Sequence, residues 1–122
     1  TCSAKLGGGA FAIVSFKGND NNNNYMIMQN DNVILEGNIA MNGSQIYSEG
    51  GRLDILGMNF NGTAYINRLK ADSSFKGNSG GAIYAESTEL LIDNCVFTDF
   101  SAYNQGGVIY YNSNFTFNNI SS

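Results

Sequence analysis

The chain has 122 residues, room for one domain with a modest core. Net charge is −4 and only 13% of residues are charged; the six basic residues form no stripe, which argues against nucleic-acid binding. There is no His, which excludes Ser-His-Asp and Cys-His catalysis, and with only two Cys neither a metal site nor a cofactor is expected.

The apolar fraction of 43% is ordinary and argues against disorder, while 19 Asn and 15 Gly carry much of the polar load. No apolar run is long enough for a transmembrane helix. The opening Thr1-Cys2-Ser3 reads as a processed product or a fragment of something longer. Gly7-Gly8-Gly9 neither follows a strand nor opens a helix, so it is no phosphate loop.

In chain order, Asn19-Asp20-Asn21-Asn22-Asn23-Asn24 is low-complexity, and a protruding loop is expected near 19–24. Val33 to Ile39 is a partial copy of a segment that recurs more fully later. Ile46 to Phe60 aligns without a gap on Ile83 to Phe97, sharing Ile-Tyr, Glu, Leu, Ile and Phe. A third copy starts at Ile109-Tyr110 and continues, after a one-residue deletion, at Phe115-Thr116-Phe117. Within each copy an apolar pair alternates as in a strand: Val33/Leu35, Leu53/Ile55, Leu90/Ile92 and Phe115/Phe117. Gly37, Gly57, Asn94 or Asn119 follows, residues that take left-handed corners cheaply.

The second apolar residue recurs after 20, 37 and 25 residues. The long interval implies an insertion near 64–76. The expected fold is therefore all-β: a right-handed parallel β-helix, or solenoid, of about five coils with little or no helix, spanning 1–122 as a single domain. Leu35, Ile55, Ile92 and Phe117 should stack as one interior ladder, and Ile46, Ile83 and Ile109 as another on a different face.

Phe75-Lys76-Gly77-Asn78 followed by Gly80-Gly81-Ala82-Ile83 resembles the paired FxxN and GGA(I/L/V) motifs of polymorphic outer-membrane protein repeats. Gly106-Gly107-Val108-Ile109 and Gly8-Gly9-Ala10-Phe11 are weaker copies of the second motif. Phe16-Lys17-Gly18-Asn19 repeats the first, and Phe97-Thr98-Asp99-Phe100 fills its slot with a terminal Phe. The resemblance implies a parallel β-helix from a surface adhesin. Adhesion itself follows only by analogy.

Several residues are candidates for a site. Asn42, Asn61, Asn114 and Asn119 stand in N-x-S/T acceptors, either by chance in an Asn-rich chain or as glycosylation sites of an extracellular protein. Tyr47, Tyr84 and Tyr110 follow the repeated Ile and should point outward, as a binding strip or as rigidifying cross-strand stacks. Glu49 and Glu86 align with each other; Asp54 aligns with Leu91, and Asp93 with Leu56. These carboxylates are acid–base or Ca²⁺ candidates, or else solvated corner charges. Cys2 and Cys95 lie too many coils apart to pair within one straight solenoid, so an intersubunit disulfide or two buried thiols is expected.

Together these features read as an extracellular or cell-surface structural or adhesive module and not an enzyme. It is expected to carry sugar and to stack end to end, with further coils of its own chain or with copies of itself, possible glycan contacts, and no nucleic-acid partner. The alternative is a carbohydrate-active β-helix, either a polysaccharide lyase or a glycan-binding module.

Overall fold

The computed structural model describes residues 7–14, 25–29, 34–75, 77–112 and 118–120. In chain order the elements are β1 (Phe11–Val14), β2 (Tyr25–Gln29), β3 (Ile34–Glu36), β4 (Ile46–Glu49), β5 (Arg52–Leu56) and β6 (Asn59–Asn61). Then come α1 (Thr63–Ala71), a 3-10 turn at Ser73–Phe75, β7 (Ile83–Glu86), β8 (Glu89–Asp93), β9 (Val96–Thr98), β10 (Ile109–Asn112) and β11 (Asn118–Ile120).

The described strands form three small sheets, ordered β1-β4-β7-β10, β11-β8-β5-β2 and β3-β6-β9, and every pairing among them is parallel. The chain visits the sheets in turn, so β1–β3, β4–β6, β7–β9 and β10–β11 make four successive tiers. Register is strict where the repeat is strict. Ile46 faces Ile83, which faces Ile109, and Ile55 lies between Met28 and Ile92.

This arrangement corrects the expected fold class. An all-β right-handed parallel β-helix of about five coils is overturned by three small sheets of three or four strands together with a nine-residue helix, a mixed α/β arrangement. The helix begins at Thr63, one residue before the 64–76 stretch in which an insertion is expected, and runs to Ala71 within it. Its segment, TAYINRLKA, carries good helix formers, and Tyr65 and Leu69 are buried four residues apart on one face. Arg68 and Lys70 stand in its last turn, where cations suit the helix dipole.

The single ladder of Leu35, Ile55, Ile92 and Phe117 is also corrected. Leu35 pairs with Phe60 in the three-stranded sheet, whereas Ile55 and Ile92 pair in another. Phe117 lies outside the described residues, as does the Asn-rich run at 19–24. Neighbouring strands of one tier can carry the same apolar–x–apolar pattern, and period alone does not tell the sheets they enter apart.

The main core comprises Met28, Ile46, Leu53, Ile55, Met58, Phe60, Ile83, Leu90, Ile92 and Cys95 with small alanines. Phe60 and Phe97 stack across β6 and β9 with ring centroids 4.8 Å apart. A second cluster of Tyr65, Leu69 and Phe75 lies under α1 and packs on Ile39 and Phe100. The edge of Phe97 against Phe100, 6.2 Å between centroids, links the two.

Each tier turns into its first strand at a glycine corner. Gly8, Gly43, Gly80 and Gly106 all have φ between +60° and +68°. A Cβ at any of them would fall 2.0–2.4 Å from the carbonyl oxygen three residues on, so these positions exclude side chains on both counts.

Ile92 is fully buried and Val96 is 53% exposed, so their truncations should differ sharply. Ile92→Ala should cost about 2–5 kcal/mol and Val96→Ala no more than about 0.5 kcal/mol in a urea-melt comparison.

Candidate functional surface

The outward face of the β1-β4-β7-β10 sheet follows from strand alternation. Ile46 and Ser48 are buried while Tyr47 and Glu49 are half-buried, and β7 repeats the pattern. In-register parallel pairing then places Tyr47, Tyr84 and Tyr110 in one row, with Ala12 beside Tyr47. Tyr47 and Tyr84 stack with centroids 5.1 Å apart and planes 1° from parallel; Tyr84 and Tyr110 stack at 4.7 Å and 14°. Each such contact contributes about 0.5–1.5 kcal/mol beyond the area it buries. A Cβ on Gly7 would sit 2.4 Å from the Cδ2 of Tyr47 and 2.8 Å from its Cγ, so that glycine closes on the base of the Tyr47 side chain. The Tyr84 ring lies between two other rings and offers no open face for sugar stacking.

Two residues along the same face, Glu49, Glu86 and Asn112 form a second row. Glu49 and Glu86 are direct cross-strand partners, a like-charge pairing that opposes the stack. The Tyr47 hydroxyl donates to Glu49 Oε2 at 3.3 Å. Burial, then the nearby Glu49 carboxylate, raises the Tyr47 pKa above the usual phenol value. Tyr84 is pushed up to about 12 by burial, then Glu86 and the flanking tyrosines.

The other candidate carboxylates are not gathered into a site. Asp54 faces Leu91 across the sheet, and Leu56 faces Asp93. Asp54 is nearly covered: the Tyr25 hydroxyl donates to its Oδ2 at 2.6 Å, and Arg52 Nε donates to its Oδ1 at 3.1 Å. The Arg52 guanidinium also lies 5.3 Å from the centre of the Tyr25 ring. This carboxylate is a capped structural anchor. Asp93 is exposed and lines a depression of about 230 Å³ with Gln29, Leu56, Gly57 and Asn94. No group of three or more His, Cys, Asp or Glu that could hold a metal occurs among the described residues.

The four sequons differ in setting. Asn61 is half-buried, its Oδ1 accepts from the Thr63 amide at 2.9 Å, and Thr63 is exposed at the start of α1. Asn61 also borders an open cleft of about 480 Å³ with Glu36, Gly37, Ala64 and Asn67. The Asn42 Oδ1 instead accepts from the Ser79 amide of the next tier at 2.9 Å, and Ser44 of its sequon is fully buried. Asn114 lies outside the described residues, and Asn119 is placed in β11 by its backbone alone. Cys95 is buried as a free thiol, 3.4 Å from both the Ile55 and Asp93 carbonyls, and burial pushes its pKa up; Cys2 lies outside the described residues. An inward-facing protonated thiol is poorly placed for exchange.

Sequence reasoning missed one copy of the corner motif. Gly43-Ser44-Gln45-Ile46 takes the place of Gly80-Gly81-Ala82-Ile83 one tier away, and extending the Ile46/Ile83 alignment three residues upstream would have found it. Where Gly and Ala are replaced there, polar groups enter the interior. Asn38 Nδ2 donates to Gln45 Oε1 at 2.6 Å, while Ser44 Oγ and Gln45 Nε2 are buried without a partner among the described residues. It also missed the clamp on α1. Asn78, from the FxxN-like motif, donates through Nδ2 to the Tyr65 hydroxyl at 2.5 Å and accepts the Tyr103 amide at 2.8 Å. The Tyr65 hydroxyl in turn donates to the Ser101 carbonyl at 2.6 Å.

No family model, curated protein or solved structure matches this chain. No described helix is long and apolar enough to cross a membrane.

Burial pushes the Tyr65 phenol up to about 12, as it does Tyr84. Phenols with raised folded pKa values keep their protons when the unfolded chain loses them. Their contribution is full below the unfolded value near 10 and is lost as pH rises toward about 12. Alkaline titration followed by tyrosinate absorbance should show these two residues ionising late, with cooperative unfolding in that window.

Proposed function

We propose that this chain is a structural or adhesive module of an extracellular surface. The observation that carries the reading is the outward face on which Tyr47, Tyr84 and Tyr110 stack beside the Glu49/Glu86 row. Such a face is rigid before contact, so little side-chain freedom is lost when a partner docks on it. Its tyrosine edges, hydroxyls and carboxylates suit a polar surface better than an apolar groove. The resemblance of Phe75 to Ile83 to surface-adhesin repeats supports the reading by analogy. Self-association and glycan contacts belong to the same reading.

The second reading, a carbohydrate-active protein, draws on the registered Glu49/Glu86 pair. One experiment separates the two. Microspheres coated with the chain are scored for attachment to cultured cells and to immobilised polysaccharides, and the soluble chain is screened for polysaccharide turnover. Attachment that falls several-fold in Tyr84→Ser and Glu86→Gln, with circular dichroism unchanged, supports the surface module. Turnover lost in Glu49→Gln or Glu86→Gln overturns it in favour of an enzyme.

The accessibility of the acceptors, on which native glycosylation depends, has its own check. Passed through a eukaryotic secretory pathway, the chain should carry N-linked sugar at Asn61, beside the exposed Thr63, and none at Asn42, whose Ser44 is buried. Peptide mass analysis after enzymatic deglycosylation reads each acceptor separately, Asn114 and Asn119 included. Sugar on Asn42 with Asn61 bare would count against this.

A further inference from the structure

At the glycine corner all three contacts between successive tiers share one hydrogen-bond polarity. The Gly8 amide donates to the Gly43 carbonyl at 3.1 Å, Gly43 to Gly80 at 2.8 Å, and Gly81 to Gly106 at 3.1 Å. Two residues on, the Ala10, Gln45 and Ala82 amides donate to the Gln45, Ala82 and Val108 carbonyls at 3.1, 2.9 and 2.8 Å. Donors point from the 8–11 corner toward the 106–109 corner throughout. The 106–109 corner therefore presents N–H groups outward, and the 8–11 corner presents carbonyls the opposite way. Among the described residues these are the two end corners, and they are complementary.

Gly107 adds a steric argument. A Cβ on Gly9 would fall 2.1 Å from the Ser44 carbonyl oxygen, and one on Gly81 would fall 2.1 Å from that of Gly107. In both cases the next tier holds the position to glycine. Gly107 is the equivalent residue of the last corner, yet it is exposed and a Cβ there would meet nothing within 4 Å among the described residues. Ser44 is the exception in this column, and its hydroxyl is left buried without a partner among the described residues. The apolar column beside the corner is less covered at both of its ends among the described residues. Ile46 and Ile83 are fully buried, whereas Phe11 is 36% exposed and Ile109 half-buried.

We propose that the Gly106–Ile109 corner with β10 receives the Gly8–Phe11 corner with β1 of a second copy of this chain. The contact adds one parallel tier in the existing register, as strand addition to an open sheet edge does. It joins unlike faces, so it propagates in one direction and yields head-to-tail chains of copies. The proposal rests on the reading of the chain as a structural module and identifies the surface through which it would self-associate.

The test is light scattering with electron microscopy on the purified full chain up to on the order of 100 µM. The parent chain should grow in mass with concentration. Gly107→Val, which blocks the 106–109 face, and Phe11→Glu, which blocks the other, should each remain monomeric with unchanged circular dichroism. An equimolar mixture of the two should give a dimer and stop there, because each variant keeps the face the other lacks. A parent chain that stays monomeric, a Gly107→Val chain that associates like the parent, or a symmetric dimer of Phe11→Glu overturns the proposal. Should Gly107→Val fail to fold, Phe11→Glu added to the parent decides the matter: shortened assemblies support the contact and unchanged ones refute it. Attachment through Tyr84 and Glu86 is read separately on coated microspheres, so failure of association leaves the surface-module reading standing.

Discussion

The structure depends on in-register, tier-on-tier hydrogen bonding at one glycine corner. At Gly8, Gly43, Gly80 and Gly106 the backbone takes a positive φ that admits no Cβ, and that bend brings each tier's amides under the next tier's carbonyls. Once this corner is set, the strand that follows starts at the same point in every tier. Phe11, Ile46, Ile83 and Ile109 then fall into line without any further specification. A shift of one residue would turn the whole isoleucine column outward, so corner and column enforce each other.

The same alignment has consequences on the outside. Equal register puts like residues beside like, which suits tyrosines and burdens carboxylates. Tyr47, Tyr84 and Tyr110 gain stacking, whereas Glu49 and Glu86 are brought side by side, with the Tyr47 hydroxyl donating to Glu49. Asp54 shows how a carboxylate is settled elsewhere in the fold. It is ion-paired with Arg52, two residues back on its own strand, and accepts a hydrogen bond from Tyr25 of the adjacent tier. A face built this way is stiff and patterned along the stacking direction, as suits contact over an area.

The second tier departs from the pattern and α1 is an addition to it, and each departure carries its own compensation. Ser44 and Gln45 replace small residues in the interior, and Asn38 supplies one hydrogen bond to Gln45 while two polar atoms remain without a partner among the described residues. Such polar intrusions cost stability and tie the second tier to one arrangement. The helix brings a small core of its own, Tyr65, Leu69 and Phe75, and is fastened through Tyr65 to Asn78 and Ser101. Phe100 then joins that cluster to the main one.

What could be read from the residues alone was whatever recurs at a fixed offset. The Ile46/Ile83/Ile109 column, the tyrosine row, the Glu49/Glu86 pairing and the mismatch of Asp54 with Asp93 all follow from one alignment, because parallel in-register strands convert equal offsets into contact. The positive φ of Gly37, Gly57 and Asn94 was legible for the same reason. Tertiary structure alone decided that Leu35 pairs with Phe60 instead of Ile55, that α1 docks through Tyr65 on Asn78 and Ser101, and that Gln45 meets Asn38. These contacts join residues that share no repeated offset. Which sheet a strand enters, and what a helix packs against, depend on the three-dimensional path of the chain between copies, and a linear period carries no information about that path.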